Sequence, residues 1–187
     1  MRVVGGEFRG RALAAPSGKD IRPTSDRTRQ ALFDIVSHTF PETLDGARVL
    51  DLFAGTGALG IEALSRGASF CLFVDSGAES RALLRRNVEA LALQGRTKIF
   101  RRDAADLGDA GGIAPFDLIF ADPPYGKGLG GQALRAALDG GWLSPGALCV
   151  VEESADAPFD PGPGFALVDE RGYGETVLRF LRESHSS

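Results

Sequence analysis

The chain has 187 residues, of which 43% are hydrophobic, and a formal net charge of −4. A chain of this length is expected to form one domain around one core. No apolar run approaches the roughly 18 residues of a membrane span, and the first residues lack the apolar stretch of a signal peptide, so a cytoplasmic protein without a membrane anchor is expected. Cys71 and Cys149 lie in apolar runs typical of buried strands, and His38 and His185 lack neighbours at ligand spacing, so neither a disulfide nor a metal is expected.

Positive charge is concentrated near the amino terminus. The first 31 residues contain seven basic and three acidic residues, whereas the rest of the chain is net acidic. This asymmetry is compatible with a segment that binds a polyanion, although a solvated surface of mixed charge is a common alternative. The arginines that would contact RNA phosphates are Arg9, Arg11, Arg22, Arg27 and Arg29.

The first 40 residues predict an extension ahead of the main domain. Three glycines punctuate short apolar pieces in the first ten residues, which predicts a hairpin or an extended arm, followed by an irregular loop. Thr24 or Ser25 can cap a helix that runs to about His38. We expect residues 1–40 to be a basic RNA-binding extension of the single domain and residues 41–187 to be its catalytic core.

The segment from Arg48 onward alternates short apolar runs with amphipathic stretches, and seven strands can be counted in it. This alternation predicts an α/β, Rossmann-like fold with a mostly parallel seven-stranded sheet and helices on both faces. Ligands of such sheets bind at the carboxyl ends of the strands. The Pro-rich stretch 154–164 is expected to be a surface connection.

A glycine-rich turn follows the first of these strands, at residues 51–60. Its glycine spacing, with Asp75 at the end of the next strand, also satisfies the dinucleotide fingerprint and by itself does not separate NAD from S-adenosylmethionine. In the dinucleotide motif this turn receives a pyrophosphate, which the Asp51 carboxylate would repel. A carboxylate suits S-adenosylmethionine instead, because the methionine end of that cofactor carries an ammonium group.

The residues expected to bind S-adenosylmethionine lie at the ends of the first four strands. Asp75 would accept hydrogen bonds from the ribose hydroxyls, and Asp103 would accept one from the adenine amino group, with Asp106 nearly as plausible. In the structural alternative, Asp51 caps a helix and the glycines only form a turn. The full predicted set is Asp51, Phe53, Ala54, Gly55, Thr56, Gly57, Gly60, Asp75, Asp103 and Asp122.

The fourth strand ends in the predicted catalytic motif, which consists of Asp122, Pro123, Pro124 and Tyr125. The lone pair of an exocyclic base amine is delocalised into the ring, so an enzyme that methylates it must hold the amine in a geometry that frees the lone pair. The Asp122 carboxylate and the Pro123 carbonyl can accept the two amine hydrogens, while the prolines fix the backbone. Tyr125 can stack on the base. The alternative is a Pro-Pro turn with a solvated aspartate.

Several motifs together resemble the bacterial RsmD-type 16S ribosomal RNA guanine-N2 methyltransferases, over nearly the whole chain. Two of them are near the amino terminus: VGG at 4–6 followed by RGR at 9–11, and RPT at 22–24 followed by DR at 26–27 and by Arg29. The others are the glycine-rich turn at 51–60, the sequence EALSRG at 62–67 and the motif at 122–125. Asp-Pro-Pro-Tyr is also similar to the motif of amine methyltransferases that act on adenine or glutamine. The amino-terminal pieces are those that indicate the ribosomal RNA family.

This resemblance implies a fold, a cofactor and a substrate. The expected function is transfer of a methyl group from S-adenosylmethionine to guanine N2 in 16S rRNA, by a monomer acting on the rRNA or on a small-subunit particle. An N6-adenine DNA methyltransferase is the alternative within the class. A nicotinamide-dependent oxidoreductase and a non-catalytic RNA-binding assembly factor are alternatives from other classes.

Overall fold

The computed structural model describes residues 1–17 and 24–184. Its α-helices are α1 (Asp26–Thr39), α2 (Ala58–Ser65), α3 (Ala78–Ala90) and α4 (Leu129–Asp139). Its strands are β1 (Arg48–Leu52), β2 (Phe70–Val74), β3 (Thr97–Phe100), β4 (Phe116–Ala121), β5 (Leu143–Ser154), β6 (Phe165–Tyr173) and β7 (Thr176–Glu183).

The seven strands form one sheet in the order β3-β2-β1-β4-β5-β7-β6. The five strands from β3 to β5 are parallel, and β7 runs antiparallel to both β5 and β6. The strand order reverses between β1 and β4, and ligands of open α/β sheets bind outside the carboxyl ends of the strands at such a point. The α/β fold with a mostly parallel seven-stranded sheet is confirmed, and the topology places a binding site beside the ends of β1 and β4.

Hydrophobic side chains fill both faces of the sheet. Successive residues of a strand point to opposite faces, so Val49 belongs to one hydrophobic cluster and its neighbour Leu50 to the other. The apolar strands are therefore buried on both sides, as a parallel sheet covered by helices requires. This burial fixes the strand ends that carry the polar residues of the site.

Helix α1 connects the amino-terminal extension to the core. Ser25 is its N-cap, because the Ser25 hydroxyl accepts a hydrogen bond from the Thr28 amide at 3.1 Å. The helix buries Phe33 against Phe120 of β4, with ring centroids 5.5 Å apart. The predicted helix is confirmed, and it leaves Thr24, the residue before its cap, next to the strand that carries Asp122.

The amino-terminal segment is a hairpin without regular strands. One isolated antiparallel bridge joins Arg2 to Ala12, and the Val3 amide donates to the Arg11 carbonyl at 3.0 Å. The turn rests on helix α2, where the Glu62 carboxylate accepts from the amides of Val4 and Gly5 at 2.9 Å each. The hairpin is thus held by helix α2 as well as by its own pairing.

Strand β5 is longer than its apolar run indicates. It begins at Leu143 rather than near Ala147 and includes Pro145 and Gly146, where its pairing with β4 shifts register.

Within the residues that the structure describes, no helix is long and apolar enough to cross a membrane.

Candidate active site

A cavity of about 440 Å³ opens at the carboxyl ends of β1, β2 and β4, where the topology places a binding site. Eight residues of the predicted site line it: Phe53, Gly55, Asp75, Asp103, Asp122, Pro123, Pro124 and Tyr125. Val74, Ser76, Gly77, Ser80, Arg102 and Ala104 complete the lining. The predicted cofactor residues and the predicted catalytic motif at 122–125, which are far apart in sequence, therefore line the same cavity.

Asp75 joins two turns at the mouth of the cavity. One carboxylate oxygen, Oδ2, accepts from the Gly55 amide at 2.9 Å, and the other, Oδ1, accepts from the Gly77 amide at 2.8 Å. Each oxygen of a carboxylate has two lone pairs, so capacity remains for the two hydroxyls of a ribose. Asp75 is half-buried at this rim, and its two backbone contacts fix the direction in which it faces the cavity.

Phe53 has a backbone conformation that side chains rarely adopt. Its φ of 56° lies in the left-handed region, and Gly55 follows with a φ of 59°. A non-glycine residue in that region costs of order 1 kcal/mol or more and persists where the surroundings impose it. The strained turn brings the Phe53 ring to the cavity wall.

Five residues predicted to bind the cofactor do not line the cavity: Asp51, Ala54, Thr56, Gly57 and Gly60. A Cβ on Gly57 would lie 2.2 Å from Leu84 Cδ1, and a Cβ on Gly60 would lie 2.6 Å from Cys71 Sγ. These two glycines allow α2 to pack closely on α3 and on the sheet. The geometry gives them a packing role, and a direct contact with the cofactor stays a prediction.

Asp51 is buried beneath the turn, with 1% of its surface exposed, and accepts a hydrogen bond from the Gly60 amide at 3.0 Å. The N-cap of α2 is Gly57, and Asp51 accepts from an amide in the first turn of this helix, which agrees with the structural alternative for this residue. Burial raises the pKa of Asp51 to about 8. Its predicted contact with the ammonium group of the cofactor stays a prediction.

Asp103 and Asp106 are distinguished by position. Both are exposed, but only Asp103 of the two lines the cavity. The Asp103 carboxylate also accepts from the Ala105 amide at 2.9 Å, which orients it at the start of a short 3₁₀ turn. The geometry favours Asp103 as the acceptor for an adenine amino group.

The predicted catalytic motif forms the other side of the cavity. The Thr24 hydroxyl lies 2.6 Å from Asp122 Oδ2 and 2.9 Å from Glu152 Oε2. The Tyr125 hydroxyl donates to Glu152 Oε1 at 3.1 Å, and the Tyr125 side chain remains 39% exposed. Glu152, near the end of β5, is therefore linked to Tyr125 by a direct hydrogen bond and to Asp122 through the Thr24 hydroxyl.

Burial and negative charge shape the acidity of this corner. Burial, then the neighbouring Glu152, raise the pKa of Asp122 well above its usual range. Burial likewise raises the pKa of Glu152, and Glu153 adds to it. Burial raises the pKa of Tyr125 to about 12, so its hydroxyl stays a donor at neutral pH.

Sequence reasoning missed Thr24 and Glu152 as members of the site. Thr24 was assigned only to the helix start and to the amino-terminal motif, and Glu152 only to the end of an apolar strand. The available signal for Glu152 was a charged pair, Glu152 and Glu153, directly after a buried run, since a carboxylate at the carboxyl end of a parallel strand faces the ligand edge.

One predicted RNA contact is wrong. Arg29 is fully buried, so it does not reach RNA phosphates. It donates to the Asp26 carboxylate at 2.7 Å, to the Thr24 carbonyl at 3.1 Å and to the Arg2 carbonyl. Arg29 therefore holds the helix start and the segment that carries Thr24.

The other predicted RNA contacts differ in what the structure describes. Arg9, Arg11 and Arg27 are exposed, and Arg11 donates to the Ala90 carbonyl of α3 at 3.0 Å. Arg22 lies outside the described residues. Contact of these arginines with RNA stays a prediction.

The lining of the cavity fits S-adenosylmethionine. Rim carboxylates at Asp75 and Asp103 suit ribose hydroxyls and an adenine amino group, while Phe53 and Val74 supply apolar surface. Such a combination of an apolar wall and a few convergent polar groups is typical of a pocket for a nucleoside-containing ligand.

The chain is similar to known proteins over nearly its whole length. The family model "Conserved hypothetical protein 95" matches residues 1–182. Ribosomal RNA small subunit methyltransferase D of Escherichia coli is 33% identical over 183 residues, covering 97% of this chain and 89% of that protein. The solved structure of Escherichia coli yhhF superposes with a TM-score of 0.81 and 32% identity, covering 98% of each chain.

A more distant neighbour shares the fold alone. The 16S rRNA methyltransferase RsmC of Thermus thermophilus superposes with a TM-score of 0.67 at 23% identity, over 86% of this chain and 44% of that one. The fold and the cavity thus define a class I methyltransferase, and S-adenosylmethionine, predicted from the sequence, is the cofactor of that class. Within the class, this chain belongs to the RsmD family, described as Conserved hypothetical protein 95.

Proposed function

We propose that this protein transfers a methyl group from S-adenosylmethionine to the exocyclic N2 amine of a guanine in 16S rRNA, as free rRNA or within a small-subunit particle. The observation that carries this proposal is the placement of Asp122, at the head of Asp-Pro-Pro-Tyr, in the same cavity as the rim carboxylates. Membership of a family whose Escherichia coli relative is named a ribosomal RNA small subunit methyltransferase supports the RNA substrate.

Orientation of the acceptor amine supplies the catalysis. The Asp122 carboxylate and the Pro123 carbonyl accept the two amine hydrogens and turn the nitrogen lone pair toward the methyl group. The cofactor supplies an activated methyl group on a sulfonium. Asp122 does not need to deprotonate the neutral amine, because the amine becomes acidic only after it is alkylated.

Tyr125 is suited to hold the base. Its hydroxyl is fixed by Glu152, while its ring faces the cavity and is partly exposed. A flipped or unpaired base stacks favourably on such a ring. Stacking would place the exocyclic amine beside Asp122, which precedes Tyr125 by three residues.

The exposed arginines of the amino-terminal segment support an RNA substrate. Arg9 and Arg11 lie on the hairpin that rests on α2, and the same hairpin bonds to Asn87 through the Ala14 amide at 2.7 Å. The Asn87 side chain also donates to the Thr56 carbonyl in the cofactor turn, at 2.9 Å. The hairpin is thus fixed beside the cofactor turn, where its positive charge would attract phosphates toward the site.

The substrate test uses the cofactor with a labelled methyl group. The protein is incubated with small-subunit rRNA, with small-subunit particles and with duplex DNA, and the methylated nucleoside is identified after digestion by mass spectrometry. We expect N2-methylguanosine in rRNA or in particles. Label that appears as N6-methyladenine in DNA, or on no nucleic acid, would overturn the proposal.

The contribution of the hairpin is tested by its salt dependence. Arg9→Ala combined with Arg11→Ala should weaken binding to small-subunit RNA and reduce the slope of log K against log salt by about 0.7 per lost contact. Arg135→Ala with Arg171→Ala removes the same charge from exposed positions on α4 and β6 and serves as the matched control. Equal slopes for the two double variants would shift recognition to other loops, including those around Lys127 and 156–164.

A further inference from the structure

A single hydroxyl lies between two carboxyl groups beside the cavity. Thr24 Oγ1 is 2.6 Å from Asp122 Oδ2 and 2.9 Å from Glu152 Oε2, and Thr24 and Glu152 are both buried. A threonine hydroxyl has one proton to donate. It can satisfy one carboxylate, so the second close contact requires a carboxyl group that donates to the threonine oxygen. Two full hydrogen bonds at Thr24 therefore need one proton on the pair formed by Asp122 and Glu152.

The two distances indicate which carboxyl holds that proton. O–H···O contacts lie at about 2.5–3.0 Å, most often at about 2.7–2.8 Å, and those that donate to a charged carboxylate lie at the short end, at about 2.5–2.7 Å. The contact to Asp122 lies at the short end of this range, and the contact to Glu152 lies at the long end. The two distances therefore favour Asp122 as the carboxylate and Glu152 as the carboxylic acid.

We propose that Glu152 is a positioning residue that acts through Thr24: its protonated carboxyl donates to the Thr24 hydroxyl, which in turn donates to Asp122 and holds that carboxylate in place. The second oxygen of Asp122 is then left to accept from the amine of the methyl acceptor. Tyr125 completes the chain, since its hydroxyl donates to the other oxygen of Glu152. This inference rests on the proposed function for the identity of the acceptor and on geometry for the proton.

The surroundings favour a proton on this pair. Glu153 and Asp51 are the further negative groups that act on Asp122, and the Arg29 guanidinium donates to the Thr24 carbonyl at 3.1 Å on the other side. Burial, then repulsion by Glu152, raises the pKa of Asp122, and burial, then repulsion by Glu153, raises the pKa of Glu152. A second proton at low pH neutralises Asp122, while loss of the shared proton at high pH leaves two repelling carboxylates.

The same arrangement accounts for the proton released by the reaction. As the methyl carbon forms its bond to the amine nitrogen, its bond to sulfur breaks and the electron pair stays on sulfur. The alkylated amine then loses one proton, which passes to Asp122 and leaves both carboxyls protonated. One proton must return to water before the next turnover, so the pair alternates between one and two protons.

Two substitutions at Glu152 separate a positioning role from a merely structural one. Glutamine donates to Thr24 as the carboxylic acid does but cannot ionise, whereas alanine removes the donor. We expect Glu152→Gln to retain single-turnover methylation within about threefold of wild type and to lose the alkaline decline in rate. Glu152→Ala should lose about tenfold or more, because a displaced acceptor costs rate steeply. A glutamine variant as impaired as the alanine variant, or one that keeps the alkaline decline, would overturn the proposal.

Thr24 supplies the matched pair on the other side of the bridge. Thr24→Ser keeps the hydroxyl and should retain most of the rate, whereas Thr24→Val keeps the shape without the hydroxyl and should lose about as much as Glu152→Ala. Equal rates for the serine and valine variants would show that the hydroxyl does not act. Thermal unfolding of each variant identifies any loss that reflects the fold.

The protonation of Glu152 and Asp122 can be measured without an activity assay. Carbon-13 carboxyl resonances of the cofactor-free protein are titrated with pH, and Glu152→Gln assigns the Glu152 signal. We expect Asp122 to ionise first as the pH rises and Glu152 to keep its proton to higher pH. Loss of the Glu152 proton before that of Asp122, or ionisation of both carboxyls in their usual range, would refute the assignment. This result does not depend on any methyl acceptor, so failure of the proposed substrate and failure of this inference are distinguishable.

Discussion

Carboxyl groups occupy two contrasting regions of the same sheet edge. On the open rim, Asp75 and Asp103 are half-buried or exposed and accept hydrogen bonds from backbone amides. At the end of β4, Asp122 is also half-buried but shares one hydroxyl with the buried Glu152. Backbone donors favour the ionised form of a carboxyl, whereas burial beside another carboxyl favours the protonated form.

This difference shows how one residue type performs two tasks. The rim carboxyl groups of Asp75 and Asp103 are placed to accept from hydroxyl and amino groups of a cofactor. A carboxyl pair that holds a proton can accept from an amine and then take up the proton that the amine releases. The predictions below test this division, from the largest expected effect to the smallest.

The largest effect is expected for Asp122→Ala. Loss of the carboxylate leaves the acceptor amine without its orienting partner, so the single-turnover methylation rate should fall by roughly 100-fold or more, while cofactor affinity changes little. Rapid-quench assays measure the rate, and calorimetric titration measures the affinity. Asp109→Ala, on the exposed surface away from the cavity, is the control. Near-normal methylation by Asp122→Ala would assign the orienting role to Pro123 or to another group.

Asp75→Ala should have the opposite profile. Losing charge-assisted bonds to the ribose costs about 1.5–3 kcal/mol, which corresponds to a cofactor affinity lower by about 10- to 150-fold. Asp75 also accepts from the Gly55 and Gly77 amides, one with each oxygen, and asparagine could accept from only one of them, so thermal unfolding of Asp75→Ala identifies any loss of affinity that reflects the two turns. An unchanged affinity in a folded alanine variant would remove Asp75 from the site.

Asp51 tests the buried region through stability. Its folded-state pKa of about 8 lies above the usual 3.8, so the folded protein holds this proton more tightly than the unfolded chain does. The free energy of unfolding contributed by Asp51 therefore falls as the pH rises from about 4 to about 8. Asp51→Asn cannot ionise and should remove at least about 1 kcal/mol of that decline. Urea unfolding of wild type and variant at several pH values measures the difference, and parallel curves would contradict it.

The same Asp51 variant tests the predicted ammonium contact. Asparagine can still accept from the Gly60 amide, so that hydrogen bond to α2 is retained, while the negative charge that Asp51 carries above its pKa of about 8 is lost. A weaker cofactor affinity in a protein that is more stable at pH 8 would support that contact. Unchanged affinity would leave Asp51 as a helix cap.

Periodicity was sufficient to predict the fold. Strands β1, β2 and β4 are short apolar runs, and helices α1, α3 and α4 each bury one side, so the α/β architecture and the helix start at Ser25 could be derived locally. The early start of β5 could not be derived in this way, because Pro145 and Gly146 interrupt the apolar pattern. Their tolerance depends on the register shift against β4, which is a property of the assembled sheet.

The sequence predicted those site residues that directly follow the carboxyl end of a strand. Asp75, Asp103 and the motif at 122–125 could be placed because each directly follows a strand of a parallel sheet. Thr24 could not, because it reaches Asp122 across 98 positions of sequence. Arg29 was misassigned because charge alone does not reveal burial, and its partners Asp26 and Glu62 become neighbours only in the folded protein.

The smallest effect is expected at the edge of the rim. In Asp103→Asn the side-chain oxygen can still accept from the Ala105 amide, so the cap on the 3₁₀ turn is kept. The second carboxylate oxygen, which would accept from the adenine amino group, is replaced by an NH2 group that cannot accept. One lost hydrogen bond costs about 0.5–1.5 kcal/mol, so cofactor affinity should fall about two- to tenfold. Asp106→Asn is the matched control, with the same loss of charge outside the cavity lining. Calorimetric titration of both variants decides between the two residues, and a loss confined to Asp106→Asn would transfer the adenine contact to that residue and leave Asp103 as a turn cap.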